Sequence, residues 1–487
     1  MPRSDQVLYK LPRSSRKLSS TAHSISFRIY LTLNTSLEQP RYPLFEMKTI
    51  LLSVLLPALA SAAVTSGKFT ALSFNVAGLP SLFQSNDVNG TKSENAKQLG
   101  TYFSKYGYDI INMQEDFNYH AYIYETDNHA YRTATSGGAA IGSGLNTIST
   151  HDWVDFTRVK WSRCSDASGS DCLTPKGFTF MRWNPADGVY VDFYNLHADA
   201  GTEDEDETAR NSNLQQVADY IDTWSTGNAV VVMGDTNSRY TRAKDTAIRV
   251  FKSQNSLADP WVELEKDGVY PTTGADALLC DNPSSVQTCE TVDKVLYRGS
   301  NVATLKAESF VYDGGKFTNT DPKYLGDILS DHNPILVNFT WSLSASLRQS
   351  QFSGGPHGTW FNDLPSIPSS LAASVITFSG AERLDAVALE LKDGTSFSHG
   401  GTGGTKVSLT LDSGEYWTET KLCTGQYNSH TRNFYIKATT STGKTLEAGT
   451  STDSCQTFTA PDGFAVVGFM GQAEDEIDQL ALVYAAY

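Results

Sequence analysis

Between about residues 68 and 341 the sequence alternates between short strand-like runs and segments with helical periodicity. The apolar, β-branched runs that we predict as strands are residues 69–76, 109–114, 189–196, 229–233, 292–297 and 334–339. Leu214, Val217, Ile221 and Trp224 recur at helical spacing and predict a helix between two of these strands. Strands alternating with helices favour an α/β layered domain with its functional site along one sheet edge.

The character of the chain changes after Trp341. Residues 342–353 are rich in serine, and we predict a linker that few core contacts cross, so that each side folds alone. Residues 354–487 are rich in Gly, Thr and Ser, contain alternating patterns such as 406–411, and show no convincing amphipathic helix. This pattern predicts a separate all-β domain, which agrees with a chain of 487 residues being too long for one core.

The strongest targeting signal lies inside the chain. Lys48 follows Met47, an apolar run covers residues 50–59, and Ala60-Ser61-Ala62 resembles a cleavage site, so residues 47–63 are predicted as a signal peptide. The run is too short for a transmembrane helix, which needs about 20 apolar residues. Residues 1–46 are predicted as a non-native or disordered extension, with a transit peptide as the alternative. We therefore expect a secreted, extracellular protein.

The cysteines agree with secretion because all six follow the predicted cleavage site. Sequence proximity favours the pairs Cys164–Cys172, Cys280–Cys289 and Cys423–Cys455. Zinc binding is the weaker interpretation, since the sequence contains no Cys-x-x-Cys motif. Glycosylation sequons occur at Asn89 and Asn338, and Asn89 is favoured because Asn338 falls in a predicted strand.

Residues able to bind a metal or a phosphate follow several of the predicted strands. They lie in the segments Phe74-Asn75-Val76, Met113-Gln114-Glu115, Asn195-Leu196-His197, Gly234-Asp235-Thr236-Asn237 and Ser330-Asp331-His332. Asn75 and Glu115 offer amide and carboxylate oxygens, the hard ligands that suit Mg²⁺. Asp235 and Asn237 share a face of an extended segment, so both could address one phosphate.

A carboxylate close to His332 would fix the imidazole tautomer and favour its charged form. Asp293 is the candidate for this contact, and a charged imidazole would help to hold a phosphate. Taken singly, each residue has a structural explanation: a lone Asn is usually a turn residue, and a lone His a satisfied polar group. The acidic run of residues 203–207 is predicted as a solvated loop. The co-occurrence of these groups at strand ends favours function for the set.

These segments together resemble the successive motifs of the endonuclease/exonuclease/phosphatase superfamily, over residues 67–341. The resemblance implies a four-layered α/β sandwich, in which two packed β-sheets are flanked by helices, and hydrolysis by in-line attack of water on phosphorus. It implies a Mg²⁺ site, with Mn²⁺ as the alternative, formed by Glu115, Asn75 and Asp331. The catalytic residues that it implies are His197, Asp235, Asn237, Asp293, Asp331 and His332.

Residues 75–80, 114–117, 173–178 and 197–201 resemble secreted microbial members grouped with neutral sphingomyelinases. The net charge of −16 and the acidic run after His197 disfavour a stable complex with nucleic acid. The implied function is hydrolysis of phosphodiester bonds in a phospholipid, with peripheral membrane contact. The alternatives are a secreted endonuclease, and an inactive phosphoesterase fold that acts as a glycan-binding protein.

The C-terminal region resembles the jacalin-type lectins. The segments that carry this resemblance are Gly354-Gly355, residues 399–404, 414–416 and 468–471, and Ile477-Asp478. It implies a β-prism of three sheets over residues 354–487 that binds glycans through Gly354, Gly355 and Asp478. Glu474 stands where the family's motif has glycine, a departure that bears on sugar binding and not on the fold.

Overall fold

A computed structural model of the chain describes residues 64–79, 86–136, 142–168, 171–368 and 372–487. The predicted N-terminal extension, residues 1–46, and the predicted signal peptide, residues 47–63, lie outside the described residues. No helix of the described part is long and apolar enough to cross a membrane. All described residues belong to one structural unit, Ala62–Tyr487.

Within the described residues, the first domain contains eleven strands and five α-helices. The strands are β1 (Ser66–Asn75), β2 (Ile110–Gln114), β3 (Tyr131–Arg132), β4 (Asn146–Ser149), β5 (Trp153–Lys160), β6 (Gly177–Ala186), β7 (Val189–His197), β8 (Ala229–Asp235), β9 (Asp293–Arg298), β10 (Ala303–Tyr312) and β11 (Ile335–Leu343). The helices are α1 (Lys92–Tyr106), α2 (His120–Thr126), α3 (Asp204–Trp224), α4 (Val250–Ser253) and α5 (Pro260–Glu265). Each of the predicted strands is confirmed, with its ends shifted by a few residues.

Two sheets form the centre of this domain. One has the strand order β10-β11-β1-β2-β4-β3 and the other the order β5-β6-β7-β8-β9. Phe69 of the first sheet contacts Trp183 and Phe193 of the second, with ring centroids 5.1 and 6.1 Å apart. All three rings are buried, and each contributes about 1.5–3 kcal/mol by leaving water. The sheets therefore share one apolar core.

Helices cover the outer faces of both sheets. Leu99 and Phe103 of α1 belong to a buried cluster with Leu72 and Ile111 of the first sheet. On the other side, the apolar stripe of α3 belongs to the central core, including the predicted helix positions Leu214, Val217 and Ile221. The domain is thus the predicted four-layered α/β sandwich.

The acidic run of residues 203–207 does not form the solvated loop that we predicted. Glu203 is the N-cap of α3, and the remaining acidic residues form its first turn. The Glu203 backbone N–H donates to Asp206 Oδ2 at 3.2 Å, and the side chains of Asp206 and Glu207 are buried. Carboxylates stabilise a helix N-terminus because its free N–H groups and its dipole favour negative charge.

The described part of the second domain is built from thirteen strands. They are β12 (Leu347–Gln349), β13 (Ser353–Gly354), β14 (Thr359–Asn362), β15 (Ala373–Gly380), β16 (Leu384–Leu391), β17 (Ser396–Gly400), β18 (Thr405–Thr410), β19 (Trp417–Tyr427), β20 (His430–Thr440), β21 (Thr445–Gly449), β22 (Ser454–Thr459), β23 (Phe464–Ala473) and β24 (Ile477–Ala486). They form three sheets, β12-β24-β23-β14 with β13 also on β24, β17-β16-β15-β18, and β21-β20-β19-β22. Phe378, Trp417 and Phe469, one from each sheet, pack in a common core. This is the predicted β-prism.

Residues 342–353 differ from the linker prediction because much of this segment is paired in sheets. Its first two residues still belong to β11, and β12 pairs with β24. The serines act within the packed structure: Ser350 Oγ accepts from the Leu482 backbone N–H at 2.9 Å, and Ser353 Oγ donates to Asn433 Oδ1 at 2.9 Å. Serine-rich composition predicted a solvated spacer, whereas here the hydroxyl groups satisfy buried polar atoms.

Buried polar contacts join the two domains. Asp155 of β5 accepts hydrogen bonds from Gln472 Nε2 at 3.2 Å and Gln479 Nε2 at 2.9 Å. The same carboxylate pairs with Arg182 at 2.7 Å, and the Arg182 guanidinium lies 3.6 Å from the ring centroid of Trp360. The second sheet of the first domain and the β-prism therefore share a buried network.

All three predicted disulfides are present: Cys164–Cys172, Cys280–Cys289 and Cys423–Cys455. The last pair joins directly opposite residues of β19 and β22. Of the two sequons, Asn89 is exposed, whereas Asn338 lies half-buried in β11 and donates to Ser309 Oγ at 2.6 Å.

Candidate active site

The strand ends that carry the predicted site residues meet at one edge of the two sheets. β1 and β2 run parallel and place Asn75 opposite Gln114, directly before Glu115. β7 and β8 are also parallel and pair His197 with Asp235, while β9 returns antiparallel and pairs Asp293 with Asp235. Pairing in both sheets thus gathers side chains that are far apart in sequence.

Asn75 connects the two halves of the site. Its Nδ2 lies 3.2 Å from Glu115 Oε1 and 3.2 Å from Asp235 Oδ2. Its Oδ1 accepts from the Ala77 backbone N–H at 3.1 Å, which fixes the orientation of the amide. Asn75 therefore holds one carboxylate from each sheet.

Glu115 has the features of a metal ligand. Its Oε2 is buried and has no hydrogen-bond partner among the described residues. A buried carboxylate oxygen without a donor costs free energy unless a cation binds to it. Its backbone has φ +56°, and Gly78 is required beside it because an added Cβ would lie 2.4 Å from the Glu115 carbonyl oxygen. Such strained backbone is often found at functional sites.

Asp235, Asp293 and His332 form a compact cluster. His332 Nδ1 lies 2.9 Å from Asp293 Oδ2, and His332 Nε2 lies 3.8 Å from Asp235 Oδ2. The three could hold a metal ion through one atom each, since these atoms lie within 4.8 Å of one another. Sequence reasoning gave them catalytic roles and did not assign them as ligands.

Charge distribution in this cluster follows from burial and from neighbouring carboxylates. Burial alone would lower the pKa of His332, but Asp293 and Asp235 outweigh it and raise that pKa well above its ordinary value. Burial raises the pKa of Asp235 to about 6, although the charge of His332 opposes the shift. The contact between Asp293 and His332 is the one that an orienting role requires.

The pKa of His197 shifts in the opposite direction from that of His332. Burial, followed by the charges of Lys176 and His332, lowers the pKa of His197 well below its ordinary value. Its Nε2 lies 3.2 Å from Lys176 Nζ and 3.4 Å from Asp235 Oδ2. The resemblance implies a catalytic role for both histidines, but burial and the neighbouring charges favour the cationic form for His332 alone.

Lys176 was missed as a site residue. It lies just before β6 and pairs with Asp171 at 2.6 Å, beside the Cys164–Cys172 disulfide. The only sequence signal for Lys176 was its place within residues 173–178. This segment carried the family resemblance, but no catalytic role was assigned to its residues.

The remaining predicted residues also lie at this edge. Asn237 has φ +49°, and its Nδ2 donates to the Ala198 carbonyl oxygen at 3.1 Å, so its amide is held in place. Asp331 is exposed and accepts from Asn86 Nδ2 at 3.0 Å. Ser330, which precedes it, donates through Oγ to the Asn75 carbonyl oxygen at 2.6 Å and ties this turn to β1.

These side chains line an open cavity of about 480 Å³. Glu115, His197, Asp235, Asn237, Asp331 and His332 contribute to its lining, whereas Asn75 and Asp293 support them through the contacts above. Leu79, Phe117 and Leu173 add apolar surface, and Leu173 is 75% exposed. The cavity combines a charged site with an apolar wall.

The predicted sugar-binding residues also lie together. Gly355 donates through its backbone N–H to the Asp478 carbonyl oxygen at 3.0 Å, and Gly354 has φ +95°. An added Cβ on Gly354 would lie 2.0 Å from that same oxygen, so only glycine fits. The Asp478 carboxylate is buried and lies 2.8 Å from Arg432 Nη1, a pairing that the sequence did not reveal.

Comparison with known proteins agrees with both domains. Residues 63–276 match the Endonuclease/Exonuclease/phosphatase family 2, and residues 350–483 match the Jacalin-like lectin domain. A protein named sphingomyelinase from Mycobacterium bovis is 34% identical over 281 residues, which cover 56% of this chain and 53% of that protein. A sphingomyelinase of Mycobacterium tuberculosis matches equally well. The chain thus spans about half the length of these curated relatives.

Solved structures similar to each domain are also known. Sphingomyelinase C from Streptomyces griseocarneus is 16% identical with a TM-score of 0.39, covering 56% of this chain and 99% of that one. A mannose-binding jacalin-related lectin from Ananas comosus is 20% identical with a TM-score of 0.26, covering 29% of this chain and 99% of the lectin. The two family matches show that the chain joins an endonuclease/exonuclease/phosphatase family domain to a jacalin-like lectin domain.

Proposed function

We propose that this protein is a secreted, Mg²⁺-dependent phosphodiesterase that hydrolyses a phospholipid of the sphingomyelin class. The observation that carries the proposal is the unpartnered Oε2 of Glu115, buried close to the cluster of Asp235, Asp293 and His332. A hard anionic ligand beside a basic carboxylate and a cationic imidazole is the combination that phosphodiester hydrolysis needs.

Glu115 and Asp331 would hold the metal ion through carboxylate oxygens, which suit Mg²⁺ and also accept Mn²⁺. Asn75 would join them through its amide oxygen only with the amide turned over, because Nδ2 faces Glu115 and Asp235 in this structure. A bound Mg²⁺ would polarise a phosphoryl oxygen and stabilise the charge that develops on it.

Asp235 is suited to accept a proton from the attacking water. Its pKa of about 6 leaves it mainly ionised at neutral pH, yet basic enough to take up the proton. Asn75 Nδ2 and the Asn237 backbone N–H, at 3.2 and 2.9 Å, fix its two oxygens. The fixed carboxylate needs no reorganisation when the reaction begins.

His332 would stabilise negative charge on the phosphoryl group. Asp293 holds its Nδ1 side, which leaves Nε2 to point towards Asp235 and the cavity. Lys176 adds a second positive charge close to His197. Asn237, held by Ala198, would position the phosphate through its side chain.

The choice of a lipid substrate has two supports. The mycobacterial relatives carry the name sphingomyelinase, and Leu79, Phe117 and Leu173 give the cavity an apolar wall beside the charged site. An exposed leucine at the mouth suits peripheral contact with a membrane surface. The net charge of −16 disfavours nucleic acid as a stable partner.

Glycan binding by the β-prism and secretion complete the proposal. Gly354, Gly355 and Asp478 would bind sugar, which would deliver the enzyme to glycan-bearing surfaces. Three disulfides favour an oxidising compartment.

A substrate panel tests the proposed activity. The purified full-length protein is incubated with sphingomyelin vesicles, plasmid DNA and inositol phosphates, with Mg²⁺ or with EDTA. We expect release of phosphocholine from sphingomyelin only when Mg²⁺ is present. DNA cleavage without lipid turnover would replace the proposal with a secreted endonuclease. No turnover of any substrate, together with glycan binding, would indicate an inactive fold that acts as a glycan-binding protein.

A further inference from the structure

A cleft of about 150 Å³ lies between the catalytic domain and the β-prism. Phe156, Tyr220 and Trp224 line it from the catalytic domain, and His357, Gly358 and Gln472 line it from the lectin side. None of the described residues that line it is a lysine or an arginine. The cleft does not belong to the catalytic cavity and has no role in the chemistry above.

The catalytic-domain wall is aromatic. Tyr220 and Trp224 are one turn apart on α3, and their rings stack with centroids 5.7 Å apart and planes 19° apart. Both rings are only half-buried, as is Phe156 of β5. Partly exposed aromatic rings present flat apolar faces, and Tyr adds a hydroxyl group at its edge.

The lectin wall lies directly beside the predicted sugar site. An added Cβ on Gly358 would lie 2.6 Å from Asp478 Oδ2, so the lining residue Gly358 packs directly against the carboxylate. The neighbouring His357 is exposed, and its ring centroid lies 4.1 Å from that of His430. The segment 354–358 thus runs from the predicted sugar-binding glycines to the cleft.

Several polar atoms at this end of the β-prism have no hydrogen-bond partner. Asp478 Oδ1 and Gln479 Oε1 are buried and unpartnered by hydrogen bonds, although Asp478 Oδ1 has its ion-pair contact with Arg432. Gln472 and Gln479 both donate to Asp155 of the catalytic domain, which fixes them at the boundary. Buried polar atoms without partners are uncommon in folded proteins, and a bound ligand is one way to complete their hydrogen bonds.

We propose that this cleft is a second glycan subsite, in which the catalytic domain extends the sugar site of the lectin domain. The ligand is a neutral hexose chain: one unit lies at Gly354, Gly355 and Asp478, and the next lies in the cleft against Tyr220 and Trp224. Sugar rings combine apolar C–H faces with hydroxyl groups, which match aromatic rings beside amide and carboxylate groups. The inference rests on the proposed glycan binding of the β-prism.

The volume of the cleft agrees with a single sugar unit lying in it. Pockets for whole small ligands measure about 300–1,000 Å³. A cleft of about 150 Å³ therefore suits one unit of a longer ligand and not the whole ligand. An oligosaccharide that fills both subsites binds more tightly than a monosaccharide, because the second contact is intramolecular.

The test compares monosaccharides with oligosaccharides on the full-length protein. Mannose, galactose and their linear oligosaccharides are titrated calorimetrically against the wild type and three variants. Thr157→Trp fills the cleft from an exposed strand position, and Trp224→Leu removes part of the aromatic wall. Thr304→Trp is the matched control, an exposed strand threonine outside the cleft. Circular dichroism and the unfolding midpoint establish that each variant is folded.

We expect Thr157→Trp and Trp224→Leu to weaken oligosaccharide binding about tenfold while leaving monosaccharide binding unchanged. Thr304→Trp should match the wild type. Unchanged oligosaccharide affinity in folded Thr157→Trp and Trp224→Leu would overturn the second subsite and leave the lectin proposal standing. No binding of any sugar by the wild type would overturn both. Asp478→Asn separates the two sites further, since it should weaken monosaccharides and oligosaccharides alike.

Discussion

Two histidines in the catalytic cavity have opposite protonation preferences. His332 is held cationic by Asp293 and Asp235, whereas burial and the charge of Lys176 keep His197 neutral. In the proposed reaction, Asp235 and the neighbouring cation would act on the same step, since both would respond to charge moving from water to phosphate.

This coupling predicts non-additive kinetics. Asp235→Asn removes the proton acceptor and should lower kcat by about 10²–10⁴-fold, and His332→Ala should lower it by about 10²–10³-fold. The double variant should lose less than the product of the two factors. Steady-state kinetics on a soluble phosphodiester measures all three. Fully multiplicative losses would show that the two residues act independently.

The stability of the fold should depend on pH through His129, a residue outside the candidate active site. It is buried, with Nδ1 2.5 Å from Asp127 Oδ1 and Nε2 2.6 Å from the Tyr108 carbonyl oxygen. Burial alone would lower its pKa, but the contacts with Asp127 and Tyr108 raise the pKa above the ordinary value. A raised folded-state pKa stabilises the fold below the unfolded pKa of about 6.5, and this stabilisation is lost as pH rises through the folded pKa.

His129→Gln should remove that dependence. We expect the unfolding midpoint of the wild type to fall relative to that of His129→Gln as pH rises from about 6 towards 9. Thermal unfolding at several pH values measures the difference. Parallel curves for the two proteins would mean that folding does not raise the pKa of His129.

At the level of single elements, helix α3 carries Tyr220 and Trp224 of the cleft and begins beside the cavity of the candidate active site. Asp206 accepts from the Glu203 backbone N–H and from Ser168 Oγ, so it caps the helix and also anchors the segment of the Cys164–Cys172 disulfide. Glu205 in the same turn is exposed.

Asp206→Ala should therefore cost about 1–2 kcal/mol of unfolding free energy, because a helix cap and a loop contact are lost together. Glu205→Ala is the matched control and should change stability by less than about 0.5 kcal/mol. Urea unfolding of the two variants measures both values. Equal losses of unfolding free energy in the two variants would mean that only the negative charge at the helix N-terminus matters.

The same helix shows what the sequence could and could not predict. Leu214, Val217 and Ile221 gave the apolar stripe, but the first half of α3 buries Arg210 and Asn213, which interrupts that stripe. Arg210 is neutralised by Asp245 at 2.7 Å, a partner in a distant loop. Periodicity detects a helix only where its buried face is apolar, so the acidic first turn was assigned to a loop.

The candidate site could likewise be predicted from the sequence only in part. Asn75, Glu115, His197 and Asp235 could be predicted together because they end parallel strands, and parallel strands end at the same edge. The place of Lys176 depends on a loop fixed by a disulfide and Asp171. Sequence spacing contains no information on such tertiary contacts.

At the scale of the whole molecule, the two domains share a buried network. Arg182 is buried between Asp155 and Asp192, and its guanidinium lies against Trp360 of the β-prism. Gln472 and Gln479 complete the hydrogen bonds of Asp155. Buried contacts thus cross a boundary that we expected few core contacts to cross, whereas independent folding of each side stays a prediction.

A fragment that ends at Leu343 should be less stable than the full chain. The fragment lacks Trp360, whose ring packs on the Arg182 guanidinium. It also lacks Gln472 and Gln479, so Asp155 loses two hydrogen-bond donors. We expect its unfolding midpoint to be lower by on the order of 5–10 °C. Scanning calorimetry of the fragment and the full-length protein measures the shift. Equal midpoints, with equal turnover of a soluble substrate, would restore the linker interpretation.

We expect Glu115 to bind a divalent metal ion on which hydrolysis depends. Mg²⁺ titration of the EDTA-treated full-length protein measures this, with calorimetric binding and phosphocholine release from sphingomyelin vesicles followed on the same samples. Turnover should return with saturation of one Mg²⁺ site in the wild type. Glu115→Gln, which keeps the shape of the side chain but not its charge, should keep its fold and lose both Mg²⁺ affinity and turnover. Wild-type turnover in EDTA, or unchanged Mg²⁺ affinity and turnover in Glu115→Gln, would contradict this expectation.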